Sequence, residues 1–114
     1  MKIPITEKLE IKDGLHKGVI IKVDYRDTPY KYTDVVIETI LNDMSINLKA
    51  GYPTMVGEET KLGKLLMRFG GTMEVGTTID PDVMLIGKEC QFMTITEDTK
   101  NGKFAKVLPD SVKP

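Results

Sequence analysis

Alternation with a period of two dominates the chain. Over residues 15–25, Leu15, Val19, Ile21, Val23 and Tyr25 fall mostly on one parity, and His16, Gly18, Ile20, Lys22, Asp24 and Arg26 on the other. That pattern predicts a strand. Gly18 in its middle predicts a bulge or a tight bend. Asp27-Thr28-Pro29 reads as a turn. Residues 30–41 predict a second long strand, rich in β-branched and aromatic side chains. Its two parities are Val35, Ile37, Thr39 and Leu41 against Tyr30, Tyr32, Asp34, Val36 and Glu38. After a turn at Asn42-Asp43, residues 46–50 predict a third strand. Any extension toward Val56 is an edge or a bulge, because Pro53 has no N–H to give a ladder.

The period changes at Thr60. Leu62, Leu65, Leu66 and Phe69 recur at three- and four-residue spacing, with Lys61, Lys64 and Arg68 off that stripe. Thr60 is suited to the N-cap and Gly70-Gly71 to the stop, so residues 60–69 predict one helix. Asp80-Pro81 predicts a short capped turn, and Met84, Leu85 and Ile86 are expected to be buried. Gly87 leads into a fourth strand over residues 88–96. Asn101-Gly102 closes a hairpin with a fifth over residues 103–108. Residues 1–13 are expected as an N-terminal arm and residues 109–114 as a short polar tail. The order β-β-β-α-β-β predicts a mainly β chain of one domain spanning residues 1–114. Its expected architecture is a five-stranded Greek-key barrel of the OB type, with one capping helix between strands three and four.

Composition narrows the chemistry. The net charge is −1, which argues against a strongly basic nucleic-acid binder of the histone type. No apolar run approaches the length of a membrane span, and Met1-Lys2-Ile3-Pro4 has no apolar leader core, so a cytoplasmic protein without membrane contact is expected. The single Cys90 and single His16 exclude an internal disulfide and a cysteine-based zinc site. Cys90 reads as a small core residue. No serine elbow or phosphate-cradling loop is present. Asp80 and Asp82 read as capping and solvated residues. No catalytic set, metal site or cofactor is expected, and the chain reads as a non-enzyme.

Binding residues are easier to assemble. Single-stranded nucleic acid is held by flat rings under bases and by cations along phosphates. Tyr25, Tyr30 and Tyr32 interleave with Arg26 and Lys31 around the first turn, and Tyr52 follows the third strand. Phe104 stands among Lys100, Lys103 and Lys106 in the last hairpin. The contact set expected from this pattern is Lys22, Arg26, Tyr30, Tyr32, Tyr52, Lys100, Lys103 and Lys106. Phe69 and Phe92 are expected in the core. The tyrosines suit a core position with the hydroxyl at the rim as well as they suit a stacking platform.

Several stretches carry a resemblance. They are Gly14-Leu15-His16-Lys17-Gly18-Val19-Ile20, Leu62-Gly63-Lys64-Leu65-Leu66 and Leu85-Ile86-Gly87-Lys88. Phe92 and Gly102-Lys103-Phe104-Ala105-Lys106-Val107 follow. Together, over roughly residues 10–112, the chain resembles small OB-fold proteins of phages, prophages and archaeal elements, some of them single-stranded DNA-binding proteins. The resemblance implies DNA binding in replication, recombination or repair. The expected partner is single-stranded DNA, with RNA as the other polymer and a second copy or replication proteins beside it. The competing expectation is a protein-interaction or structural subunit of a phage or replication assembly, with no nucleic-acid affinity of its own. Near-neutral charge and exposed strand edges favour that alternative.

Overall fold

The computed structural model describes residues 11–41, 43–100 and 102–114. Most of the expected arm (residues 1–10) and the turn residues Asn42 and Asn101 lie outside the described residues. Five antiparallel strands form one sheet: β1 (Gly14–Arg26), β2 (Tyr32–Leu41), β3 (Met44–Pro53), β4 (Glu89–Thr99) and β5 (Gly102–Val107). Their order is β3-β2-β1-β4-β5. The sheet is strongly curled, so its two edges, β3 and β5, approach each other. β1 is common to both halves. It pairs with β4 from Gly14↔Thr94 to Val19↔Glu89, and with β2 from Val19↔Glu38 to Arg26↔Tyr32.

Two features of β1 allow it to turn from one neighbour to the other. A Cβ on Gly18 would stand 2.6 Å from the Glu38 carbonyl oxygen, so only glycine lets β1 lie this close to β2. The bulge comes later. The register passes from Ile20↔Ile37 to Lys22↔Val36 and leaves Ile21 without a partner. That extra residue inverts the alternation. Ile20 and Val23 are both buried, whereas Leu15, on the parity of Val23, is 60% exposed.

Between β3 and β4 lie two helices, α1 (Lys61–Arg68) and α2 (Pro81–Leu85), where the sequence predicts one helix and a turn. Thr60 caps α1, its Oγ1 accepting from the Gly63 N–H at 3.0 Å. Leu62, Leu65 and Leu66 enter the core, and an eight-residue helix needs that packing to persist. Asp80 caps α2 by accepting from the Asp82 N–H at 3.0 Å, and Pro81 supplies the first helical residue. Only Leu85 of the expected Met84, Leu85 and Ile86 is fully buried. The core joins these helices to Ile20, Val35, Ile37, Ala50, Tyr52, Cys90 and Phe92. Phe92 is buried in this core, and Phe69 packs half-buried against the cluster.

The polar tail is a correction. A 3-10 turn at Pro109–Ser111 folds the chain back, and Val112 is fully buried. Arg68 Nε donates to the Val112 carbonyl at 2.7 Å, and Gln91 and Lys113 exchange backbone hydrogen bonds at 2.7 and 3.0 Å. One apolar side chain among polar neighbours therefore anchors the segment. Among the described residues, every buried side-chain polar atom has a partner, and no helix is long and apolar enough to cross a membrane.

Candidate nucleic-acid interface

Strand register decides which side chains share the outer face of β1, β2 and β3. Val35, Ile37 and Ala50 point into the core, so their neighbours in sequence point out. Three outward rows result: Arg26–Tyr32–Pro53, Asp24–Asp34–Gly51 and Lys22–Val36–Lys49. Each row crosses three adjacent strands, about 10 Å in all.

Arg26 is committed within this face. Its Nη2 donates to Asp34 Oδ1 at 3.0 Å, and its Nε pairs with Asp34 Oδ2. Asp34 is nearly buried, so the guanidinium fork neutralises a carboxylate that would otherwise be costly. The same guanidinium lies 5.3 Å from the centre of the half-buried Tyr32 ring. Lys22 is 3.3 Å from Asp24, but both side chains are open to water, where such a pair is weak. Lys49 is exposed and has no ion pair among the described residues. Tyr30 stands at the turn into β2 and is 71% exposed. Tyr25 instead reaches α2, its hydroxyl donating to Asp82 Oδ1 at 3.1 Å. Partial burial, then that hydrogen bond and the charges of Asp82 and Asp80, push its pKa up to about 12.

Tyr52 is a second correction. Its ring is fully buried and its hydroxyl donates to the Pro109 carbonyl at 2.7 Å. Burial pushes the phenol well above its usual pKa, and the ring has no face for a base. It belongs to the core because β3 register places it inward with Ala50.

The expected contact set also divides in space. Lys22, Arg26, Tyr30 and Tyr32 gather where β1 meets β2. Lys100, Lys103 and Lys106 lie on the β4–β5 hairpin, which leaves β1 at Gly14↔Thr94, the other end of a thirteen-residue strand. There Lys103 faces Asp98 across the strands, and Lys106 Nζ lies 3.7 Å from Glu97. Lys49 is absent from the expected set. Its signal was its parity, opposite to Leu48, Ala50 and Tyr52.

Nothing assembles around the single thiol. Burial pushes Cys90 up to about 11, partly offset by a hydrogen bond from the Gly18 backbone, so it stays protonated at neutral pH. His16 is engaged elsewhere: its ring stacks on Phe92 at 5.7 Å and its Nε2 donates to the Lys12 carbonyl at 2.7 Å. Among the described residues no group of three or more His, Cys, Asp or Glu is placed to hold a metal ion. No protein-family model matches the chain, and no curated protein matches it.

Proposed function

We propose that this chain is a non-catalytic OB-type barrel that holds single-stranded nucleic acid, DNA in the first place, on the outer face of β1, β2 and β3. One observation carries the reading: the Arg26–Tyr32 stack shares an outward face with Lys22 and Lys49, and the exposed Tyr30 ring stands two residues before Tyr32. Rings there take bases, at about 1–3 kcal/mol for each stacked base, and the two lysines take phosphates. The strand order β3-β2-β1-β4-β5, with β1 common to both halves and β3 beside β5, supports the barrel type. The resemblance to phage-type OB proteins supports a place in replication, recombination or repair.

The test is fluorescence polarisation of a labelled oligo-dT at 50 and 200 mM salt. With two or three phosphates neutralised, affinity should fall about 7- to 20-fold over that range. Folded protein without affinity at the lower salt overturns the proposal. RNA and double-stranded DNA of equal length serve as competitors and rank the polymers.

A further inference from the structure

Groups from two neighbouring strands fix the Arg26 side chain on the outer face. Arg26 stands directly across from Tyr32, and its guanidinium lies 5.3 Å from the centre of that ring. Its Nη2 donates to Asp34 Oδ1 at 3.0 Å and its Nε pairs with Asp34 Oδ2, so that edge of the guanidinium is committed. Tyr32 and Asp34 in turn lie against Gly51 on β3. A Cβ there would stand 3.3 Å from Asp34 Oδ1 and 3.6 Å from Tyr32 Cδ1, so the bare glycine gives both their room. About half of the Arg26 side chain still faces water, against less than a tenth of Asp34.

The ring and the carboxylate leave the guanidinium open on its remaining side. Its charge is not free. Drawing Arg26 away to a phosphate would strand a nearly buried carboxylate, a loss that one phosphate contact does not return. Its flat, weakly hydrated surface is free, and it can take a second flat partner on the side away from Tyr32. Guanidinium planes receive nucleobases in this way. Ordering a long side chain counts against binding, but here the Asp34 pair orders it before any ligand arrives. Lys22 and Lys49 offer no such plane. They are exposed point charges on flexible stems.

We infer that Arg26 is the base-stacking platform of this face and its specificity-determining residue, separating chains that carry bases from polyanions that do not. The inference rests on the nucleic-acid reading above and assigns the contact within it. Tyr32 and Asp34 hold the platform in place, and Lys22 and Lys49 take phosphates whether or not bases are attached.

Polarisation titrations of the full chain test this with labelled oligo-dA and with an abasic deoxyribose-phosphate chain of the same length. Wild type is compared with Arg26→Lys, which keeps the charge and removes the plane, and thermal melts establish that the variant folds. Arg26→Lys should bind oligo-dA about tenfold more weakly, bind the abasic chain within about twofold of wild type, and keep the wild-type salt slope on both. Equal oligo-dA affinity in the two proteins overturns the inference, because a lysine replaces a phosphate contact but not a platform. An equal loss on both chains also overturns it, since that assigns Arg26 to the phosphates. Nuclear magnetic resonance of the wild type needs no variant: the Arg26 Nε–H signal should move upfield by ring current with oligo-dA and not with the abasic chain. A signal that moves alike with both overturns the inference as well. A folded wild type that binds neither chain at low salt refutes the nucleic-acid reading itself, whereas the other three results refute the platform alone.

Discussion

Replacing Asp34 with asparagine should strengthen nucleic-acid binding. Three cations on the outer face of β1, β2 and β3 (Lys22, Arg26 and Lys49) stand among three acids (Asp24, Asp34 and Glu38), so the formal sum is zero. Of these acids, Asp34 is the one whose carboxylate takes both a guanidinium hydrogen bond and an ion pair from Arg26. Asp34→Asn keeps the shape and one acceptor, removes one negative charge, and turns a neutral face into a cationic one. Arg26 then becomes available to a phosphate. One more neutralised phosphate steepens the salt dependence of log K by about 0.7 and, at 0.1 M salt, tightens binding about fivefold. Arg26 is about half open to water, so losing the ion pair should cost about 1 kcal/mol of stability. The converse variant runs the other way in affinity. Arg26→Ala leaves Asp34 nearly buried and unpaired and turns the face net negative, so it should cost about 3 kcal/mol of stability and weaken oligonucleotide binding. Polarisation titrations at four salt concentrations, with chemical denaturation of each variant, read both quantities. A folded Asp34→Asn protein with the wild-type affinity and slope would refute the reasoning, because a strand lying on this face must sense that charge.

Tyr30→Ala should weaken oligonucleotide binding by about 1–3 kcal/mol with an unchanged melting temperature, since that ring is largely in solvent. Tyr52→Ala should cost about 3–5 kcal/mol of stability as a core truncation, whereas Tyr52→Phe, which removes only the hydroxyl bonded to Pro109, should cost about 1 kcal/mol. Denaturant melts distinguish them, and a neutral Tyr52→Ala would contradict the core assignment. Ending the chain after Leu108 should lower the denaturation midpoint markedly, because Val112 and the Arg68 and Gln91 hydrogen bonds go with it. Cys90 gives a pH signature. The folded thiol holds its proton to about 11 while the unfolded thiol releases it near 9, so the associated stability is complete below 9 and is lost as pH rises toward 11. The slope is about 1 kcal/mol per pH unit in that window. Cys90→Ala should flatten that part of a stability-against-pH curve.

What the sequence reveals and what it hides follow from range. The helix is legible because its determinants are local: the Thr60 cap, the leucine stripe and the glycine stop all lie within twelve residues. The strands are legible for the same reason, since alternation needs only neighbours. Alternation fails where one residue drops out of it. Ile20, Ile21 and Lys22 carry no mark to show that Ile21 bulges. The apolar Leu15 and Ile21 are therefore put outside by a register that β2 and β4 impose together. Tyr52 is hidden differently. A phenol is apolar enough for a core and polar enough for a rim, and the group that decides, the Pro109 carbonyl, lies 57 residues away. Val112 in a polar tail is the same case, since its value depends on Arg68 across the fold. The lysine groups show where such reading ends: periodicity gives each side chain a face but no distance to another. Lys22 and Lys103 look equivalent in sequence, yet a thirteen-residue strand separates the regions that carry them.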